Sequence, residues 1–278
     1  MPLHIASLNS GSNANCYYIG NGTEAVLVDA GLSCRETEKR MNQLGLDMKQ
    51  VKALFISHEH TDHITGMTGI AKKYKLPVYI SERTLAGTGI LLPAGQANHF
   101  SQSDIIHIGN LSVIPFQKKH DAADPFSFMV HGQGINIGII TDIGHACKEV
   151  IHYFKQCHAV FLEANYCDTL LTHGHYPPSL QKRIRGKKGH LSNDQALDLF
   201  RQHRPPQLQL LILSHLSKNN NRPELVEQLF TPHAGDTRIF IASRYVASPI
   251  FSVESMIPRP LPYPLKISHK KDTQLKLF

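Results

Sequence analysis

Three histidines and two acidic residues lie within six consecutive positions of this chain: His58, Glu59, His60, Asp62 and His63. On a loop, His58 and His60 alternate and can face one side, while Asp62 and His63, about one turn later, can face a second point nearby. Imidazole and carboxylate together suit zinc, manganese or ferrous iron, and a ligand set without cysteine leaves coordination positions for water. The spacing predicts a hydrolytic site for two metal ions, and the alternative is a solvated, histidine-rich loop.

An apolar segment precedes this cluster and predicts the element that positions it. Residues 53–56 (Ala-Leu-Phe-Ile) predict a short buried strand, which places the histidines at the strand's carboxyl end. Further strands are predicted at 3–8, 15–19, 25–29, 78–80, 105–108, 111–116, 126–130, 135–141, 159–163 and 208–214. Helices are predicted at 33–44, 64–74, 81–89, 147–154 and up to His203, with 91–102 as a loop. This order predicts an α/β fold whose two halves pack sheet to sheet with helices outside.

The motif His58-x-His60-x-Asp62-His63 resembles the signature of the metallo-β-lactamase superfamily, and residues 3–253 can be compared with that family's pattern. The resemblance implies a four-layer αββα metallo-β-lactamase sandwich of class α/β, formed by one domain at 1–253. In that family the other metal ligands are a distant histidine, a bridging aspartate and a last histidine, each after a strand. The residues that fit these positions are His120, Asp142 and His215.

The same resemblance implies two divalent metal ions, zinc or manganese, and assigns their ligands. The first metal is expected to bind His58, His60 and His120. The second is expected to bind Asp62, His63 and His215, with Asp142 bridging the two metals. A hydroxide between the metals would be the nucleophile, and the residues expected to be catalytic are Asp62, Asp142 and His190.

Carboxylates near these ligands are expected to orient the imidazole rings. Asp29 ends the predicted strand 25–29 and is expected to accept the second N–H of a metal-binding histidine. Asp121 and Asp124 flank the loop that carries His120 and are expected to hold that ring in the same way. His145 is interpreted as a helix-cap or substrate-contact residue rather than a ligand.

Five later segments resemble the WalJ/YycJ-type members of the superfamily, regarded as 5′-to-3′ DNA exonucleases related to ribonuclease Z and the β-CASP nucleases. These segments are 163–168, 174–177, 180–184, 189–193 and 213–221. No long insertion separates Asp142 from His190, so a β-CASP domain has no room. The resemblance therefore implies a compact DNA exonuclease without a β-CASP insertion, and it is the only source of the 5′-to-3′ polarity.

Basic and polar residues in these segments suit a phosphate polymer. Arg183 and Arg185 can fork onto phosphate oxygens, and Tyr176 can stack on a base. By resemblance, His190 is assigned to phosphate binding and leaving-group protonation. Ser192 adds a hydroxyl at a predicted helix N-terminus, where it can contact phosphate and can also cap the helix.

Two further residues are predicted to contact substrate phosphate. Ser12 lies in the polar loop 9–16, whose backbone N–H groups can bind phosphate, although the loop can equally be a plain hairpin connection. Asn165 lies in the first of the five segments and is included for that reason.

Composition limits the setting in which the chain works. The sequence has neither an apolar run of eighteen residues nor a secretory signal pattern, so no membrane association is expected. Five cysteines without paired metal spacing predict reduced thiols in a cytoplasmic protein. The net charge of +7 favours a polyanionic partner, and part of it lies in the Pro/Lys-rich tail at 254–278. The resemblance implies that this partner is nucleic acid, expected to be DNA.

Two other functions are compatible with the sequence. The first is a hydrolase of the same fold for a small molecule, such as a cyclic phosphodiester, a thioester or a lactone. Such an enzyme has less need of the basic residues between Lys182 and Lys188. The second is a nucleic-acid-binding protein without activity, which the complete set of predicted metal ligands argues against.

Overall fold

The computed structural model describes residues 1–255, which form two seven-stranded β-sheets. The strands of the first sheet are β1 (Leu3–Asn9), β2 (Cys16–Gly20), β3 (Ala25–Val28), β4 (Val51–Phe55), β5 (Val78–Tyr79), β6 (Ala97–Asn98) and β14 (Phe251–Val253). Those of the second are β7 (Ile106–Ile108), β8 (Leu111–Gln117), β9 (Phe126–Gly132), β10 (Ile135–Ile140), β11 (Ala159–Glu163), β12 (Leu210–Ser214) and β13 (Arg238–Ile241).

The helices connect successive strands. They are α1 (Cys34–Gln43), α2 (Thr61–Ile64), α3 (Met67–Tyr74), α4 (Glu82–Thr88), α5 (Lys148–Phe154), α6 (Asp168–His173), α7 (Pro178–Arg185), α8 (Asn193–His203) and α9 (Pro223–Phe230). Short 3₁₀ turns lie at Met48–Gln50 and Thr231–His233. Within residues 1–255, no helix has the length and apolar character needed to cross a bilayer.

Each sheet is antiparallel on one side and parallel on the other. In the first sheet the order is β14-β1-β2-β3-β4-β5-β6, and β3 to β6 run parallel. In the second the order is β13-β12-β11-β10-β9-β8-β7, and β10 to β13 run parallel. Since parallel strands end at the same edge of a sheet, the residues that follow β3, β4, β10, β11 and β12 come close together.

Three apolar layers fix the arrangement. Side chains from both sheets, including Phe55, Phe128 and Phe161, form the layer between the sheets. A second layer lies between the first sheet and α1 and α3, and a third lies between the second sheet and α5, α8 and α9. The four-layer αββα arrangement predicted from the sequence is therefore confirmed.

The predicted helix at 64–74 is divided, and two glycines explain the division. Helix α2 ends at Ile64 and α3 begins at Met67, because the Gly66 N–H donates to the Ala30 carbonyl (2.7 Å). A Cβ atom on Gly66 would lie 1.9 Å from the Leu32 carbonyl oxygen, and one on Gly31 would lie 1.8 Å from the Asp62 carbonyl oxygen. The backbone of the segment 62–66 thus packs directly on the turn after β3.

Other sequence predictions differ from the structure only locally. The segment predicted as a loop at 91–102 contributes the short strand β6, which adds an edge to the first sheet. Ser33 caps α1 as predicted, since its hydroxyl accepts from the Glu36 N–H (3.2 Å). Strand β14 pairs with β1, so the sheet closes near the predicted domain end at 253. The predicted tail at 254–278 lies outside the described residues beyond Ser255.

Candidate metal centre

The loop after β4 brings two predicted ligands of the first metal together, and His120 joins them from the other sheet. His58 and His60 lie with ring centroids 4.6 Å apart, and both rings lie near His120, at 4.9 and 5.1 Å. Ligand atoms of all three residues lie within 4.8 Å of one another. The three imidazoles therefore form a pocket of the size that one metal ion requires.

A second group forms beside the first. Ligand atoms of Asp62, His63 and His215 also lie within 4.8 Å of one another. The Asp62 Oδ2 atom lies 3.4 Å from His63 Nε2 and 3.6 Å from His215 Nε2. These are the residues predicted to bind the second metal.

Asp142 lies between the two groups. Its Oδ2 atom lies 3.3 Å from His63 Nε2, and its Oδ1 atom lies 3.3 Å from His215 Nδ1 and 3.9 Å from His120 Nε2. One carboxylate thus approaches a residue of the first group and two of the second. This is the place that a bridging carboxylate would occupy, and all seven predicted ligands meet here.

Three buried atoms of this cluster test whether it suits a cation. His120 Nε2, His215 Nε2 and Asp142 Oδ2 have no hydrogen-bond partner within residues 1–255. A buried polar atom without a partner destabilises a folded protein by about 1–3 kcal/mol. All three are lone-pair donors to divalent ions, so a bound metal would satisfy them.

The charges of the cluster also indicate that it suits a cation. Burial pushes the pKa of His58 well below its usual range and lowers the pKa of His120 to about 4, which favours the neutral form that binds metals. Burial alone would also lower the pKa of His63, but Asp29 and Asp142 outweigh it and raise that pKa well above its usual range. A divalent cation would displace the proton that these carboxylates stabilise on His63, as in metal sites that release protons on binding.

Asp29 orients His63 as the sequence predicted. Its Oδ2 atom lies 2.7 Å from His63 Nδ1, and the same carboxylate accepts from the Ser57 N–H (2.8 Å) and the Ser57 hydroxyl (2.9 Å). The contact leaves His63 Nε2 directed at Asp62 and Asp142. A carboxylate behind a ligating imidazole fixes its tautomer and orientation.

The expectation that Asp121 and Asp124 hold the His120 ring by accepting its second N–H is wrong. The Nδ1 atom of His120 lies 3.0 Å from the Gly189 carbonyl oxygen, so a backbone group from the turn before α8 orients this ring. Asp121 lies instead near His120 Nε2 (3.4 Å) and pairs with Arg183 Nε (2.5 Å). Sequence proximity suggested the two acids, whereas packing brings a distant turn against the ring.

Glu163 is a functional candidate that the sequence interpretation missed. It ends β11, is fully buried, and its Oε1 atom lies 2.8 Å from His190 Nδ1 and 3.0 Å from His215 Nδ1. Its Oε2 atom accepts from the Ile143 and Leu191 N–H groups (2.7 and 3.2 Å). Burial alone would raise the pKa of Glu163, but His190 outweighs it, and the pKa falls to about 2.

Asn15 is a second missed residue. Its Nδ2 atom donates to Asp62 Oδ2 (3.1 Å) and also lies 3.1 Å from His63 Nε2. The available signal for Glu163 was an acid at the end of an apolar strand, a context that it shares with Asp142. Asn15 sits in a loop of small polar residues and carried no comparable signal.

An open cavity of ≈ 220 Å³ adjoins the cluster. Predicted substrate contacts that line it are Ser12, Asn165, Tyr176, Arg183 and His190. Arg185 lies elsewhere, since its guanidinium binds Asp168 (2.6 Å) and Thr172.

Ser192 caps α8 through a reciprocal pair of hydrogen bonds with Gln195, as the alternative interpretation allowed. Neither His145, bound to the Lys187 carbonyl, nor Ser192 belongs to the cluster of ligand atoms.

The backbone at three of these strand ends is unusual. Asp29, Asp142 and His215 have positive φ angles of 62°, 54° and 57°. Each comes within two residues of the end of a strand, β3, β10 or β12. The left-handed turn ends each strand abruptly, and the side chain of the same residue contacts the cluster.

Comparisons with known proteins agree with this geometry. A family model described as beta-lactamase superfamily domain matches residues 24–215. Exodeoxyribonuclease YycJ of Bacillus anthracis is 35% identical over 228 residues, covering 81% of this chain and 86% of that protein. Exodeoxyribonuclease WalJ of Streptococcus pneumoniae serotype 2 is 27% identical over 259 residues, covering 88% and 96%.

A solved structure shows the same fold. The metallo-β-lactamase fold protein YhfI from Bacillus subtilis superposes with a TM-score of 0.67 at 15% identity, covering 89% of this chain and 99% of YhfI. At that identity the match concerns the fold alone. Together with the family model and the sequence relatives, it shows that this chain belongs to the metallo-β-lactamase superfamily, among the homologues of YycJ and WalJ.

Proposed function

We propose that this protein is a metal-dependent phosphodiesterase that degrades DNA from the 5′ end, using two divalent ions, zinc or manganese. The observation that carries the proposal is the convergence of seven donor side chains beside an open cavity lined by Arg183 and Tyr176. The names of the homologues, exodeoxyribonucleases YycJ and WalJ, support DNA as substrate. The 5′-to-3′ polarity comes from resemblance to that group.

The donor set determines what chemistry the centre can perform. Two divalent ions held by it would lower the pKa of an attacking water and stabilise negative charge on the phosphate. His58, His60 and His120 are proposed to hold one ion, and Asp62, His63 and His215 the other, with Asp142 in contact with both. Imidazole and carboxylate donors without thiolate suit zinc and manganese alike.

His190 is proposed to protonate the leaving oxygen. Its Nδ1 atom is bound to Glu163 Oε1 (2.8 Å), so Nε2 is the nitrogen that can carry a proton into the cavity that His190 lines. The buried carboxylate fixes the orientation of the His190 ring, which a group that transfers a proton at one defined atom requires. Glu163 also contacts His215, so it orients the proton donor and a proposed metal ligand together.

The cavity residues are proposed to position the strand. The ion pair with Asp121 restrains the guanidinium of Arg183. A guanidinium group that is already ordered binds phosphate with little further loss of side-chain entropy. Tyr176 can stack on a base, and its hydroxyl accepts from the Asn219 side chain (3.1 Å). Asn165 donates to the His215 carbonyl (2.8 Å), so we propose that its main role is to support that loop.

A degradation assay tests the proposal. End-labelled single- and double-stranded DNA and RNA are incubated with the manganese-loaded or zinc-loaded protein, and metal content is measured in parallel. The proposal predicts release of mononucleotides from DNA carrying a 5′ phosphate, with the 3′ label retained until late. Rapid cleavage of a small diester such as bis(4-nitrophenyl) phosphate without nucleotide release would instead indicate the small-molecule hydrolase.

A further inference from the structure

A second cavity lies directly beside the metal centre. It has a volume of ≈ 200 Å³ and lies where the chain leaves β1, β12 and β13. Ser217 lines both this cavity and the one at the metal centre. Ser10, on its wall, accepts a hydrogen bond from the His215 N–H (2.8 Å). The two cavities therefore share the segment that carries a proposed metal ligand.

The two cavities differ in their charged residues. Three aspartates, Asp62, Asp121 and Asp142, line the metal-centre cavity together with Arg183. The second cavity is lined by the cations Lys218 and Arg244, and no carboxylate of the described chain belongs to its lining. A site with two cations and no carboxylate, next to a centre that would hold divalent ions, suits a ligand that carries more than one negative charge.

Arg244 is available to bind such a ligand. Its Nη1 atom is buried without a hydrogen-bond partner in the described part of the chain. A buried guanidinium nitrogen requires an acceptor, because its desolvation is not otherwise compensated. The backbone around Arg244 is fixed, since its carbonyl accepts from Asn13 (3.0 Å) and the next carbonyl, of Tyr245, accepts from Arg40 (3.0 Å).

The remaining walls combine apolar surface with hydroxyl groups. Leu216, Ile241 and the ring of Tyr245 supply apolar contacts, and Tyr245 is 67% exposed. Ser10 and Ser217 supply hydroxyls next to the cationic residues. An apolar surface for a base or sugar beside cations for a phosphate is the arrangement that sites for single-stranded nucleic acid use.

We propose that this cavity binds a nucleotide of the substrate strand adjacent to the scissile phosphate, with its own phosphate held by Arg244 and Lys218. The inference rests on the proposed nuclease function and specifies how the strand is held. Because Ser217 belongs to both cavities, a strand can occupy them without leaving the surface. The cavity thereby favours a polynucleotide over a small diester, which would occupy the metal centre alone.

Binding of thymidine 5′-monophosphate to the metal-loaded full-length protein tests this inference, with thymidine as the ligand without phosphate. Arg244→Gln is expected to raise the Kd for the monophosphate at least about tenfold, or about 1.4 kcal/mol. Binding of thymidine, and turnover of bis(4-nitrophenyl) phosphate at the metal centre, should change less than about twofold. Lys218→Gln should raise the Kd less, since the exposed lysine is solvated.

Two arginines provide matched controls. Arg222→Gln removes one charge from a neighbouring cavity, and Arg35→Gln removes one from the exposed surface of α1. Both are expected to leave the Kd for the monophosphate within about twofold. A larger effect of Arg222→Gln than of Arg244→Gln would overturn the assignment, as would wild-type binding by Arg244→Gln.

Further measurements distinguish failure of this inference from misfolding of the variant and from failure of the proposed nuclease function. Should Arg244→Gln unfold, Arg244→Lys retains the charge without the planar fork and is expected to bind the monophosphate with intermediate affinity. Wild-type affinity of that variant would overturn the role of the guanidinium. Failure of the nuclease proposal would appear as absent nucleotide release by the wild type, whereas the binding titration measures the cavity without any cleavage.

Discussion

The two halves of the molecule contribute to the candidate metal centre in different ways. The first half supplies four donors from one loop, between His58 and His63. The second half supplies His120, Asp142 and His215 from the ends of three separate strands. Donors on one loop share a backbone and respond together to a local change. Donors on separate strands are placed by the sheet, and side-chain contacts must connect them.

The supporting carboxylates show the same difference. Asp29 in the first half contacts one proposed ligand, His63, and the neighbouring Ser57. Glu163 in the second half contacts His190, His215 and two backbone N–H groups from different loops. The second half thus depends on one buried carboxylate where the first depends on its own loop. Substitutions in the two halves should therefore have different consequences.

The largest effect is expected from Asp142→Ala. This residue approaches donors of both halves, so its loss should prevent binding of two ions and lower cleavage by more than the roughly 10–100-fold that loss of an outer contact causes. His60→Ala, a loop donor, should remove one ion first. Metal analysis beside the DNA cleavage rate distinguishes them, and retention of two ions by Asp142→Ala would contradict the bridging position.

A smaller but more selective effect is expected from Glu163→Gln. Since Glu163 orients His190 as well as His215, cleavage should fall about 100-fold or more while metal affinity falls about 10–100-fold. Asp29→Asn is the matched variant of the first half. It should reduce metal affinity and cleavage in parallel, and equal behaviour of the two variants would remove the distinction between the halves.

His190→Ala tests the proton donor alone. Turnover should fall by about 100-fold, the lower range for loss of a general acid, while metal content stays at the wild-type value. A substrate with a good leaving group, such as bis(4-nitrophenyl) phosphate, should be affected much less, because its leaving oxygen needs no proton. Loss of metal in this variant would place His190 among the ligands instead.

The smallest effects are expected from the arginines of α7. Arg183 lines the metal-centre cavity, so Arg183→Ala should weaken DNA binding severalfold and reduce the salt dependence of log K by about one unit. Arg185 does not line this cavity, so Arg185→Ala should change that slope less. Binding titrations across salt concentrations measure both. Equal salt dependence of log K for the two variants would show that the cavity lined by Arg183 does not bind the phosphate backbone.

The difference between the halves also explains what the sequence could predict. The motif from His58 to His63 is local, so residue types and spacing are enough to predict a metal site. His120, Asp142 and His215 need the family resemblance, because spacing alone does not show which strand ends meet. The order of apolar segments predicts two halves packed sheet to sheet with helices outside, whereas the four-layer αββα sandwich comes from the family resemblance.

Contacts that depend on packing are harder to predict. The carbonyl of Gly189 that orients His120 belongs to a turn 69 positions away, and a backbone group leaves no trace in residue type. The sequence interpretation gives the two arginines of α7 the same role, although residues two apart on a helix do not share a face. Helical geometry alone therefore predicts that Arg183 and Arg185 lie on different sides of α7.

The left-handed turns at Asp29, Asp142 and His215 restrict how this centre can change. That conformation is uncommon for residues other than glycine, and aspartate, asparagine and histidine tolerate it best. Replacement by glycine would relax the main chain at each bend. The same change would remove two proposed metal ligands and the carboxylate that orients His63, so the uncommon backbone conformation is a local cost of placing these three side chains.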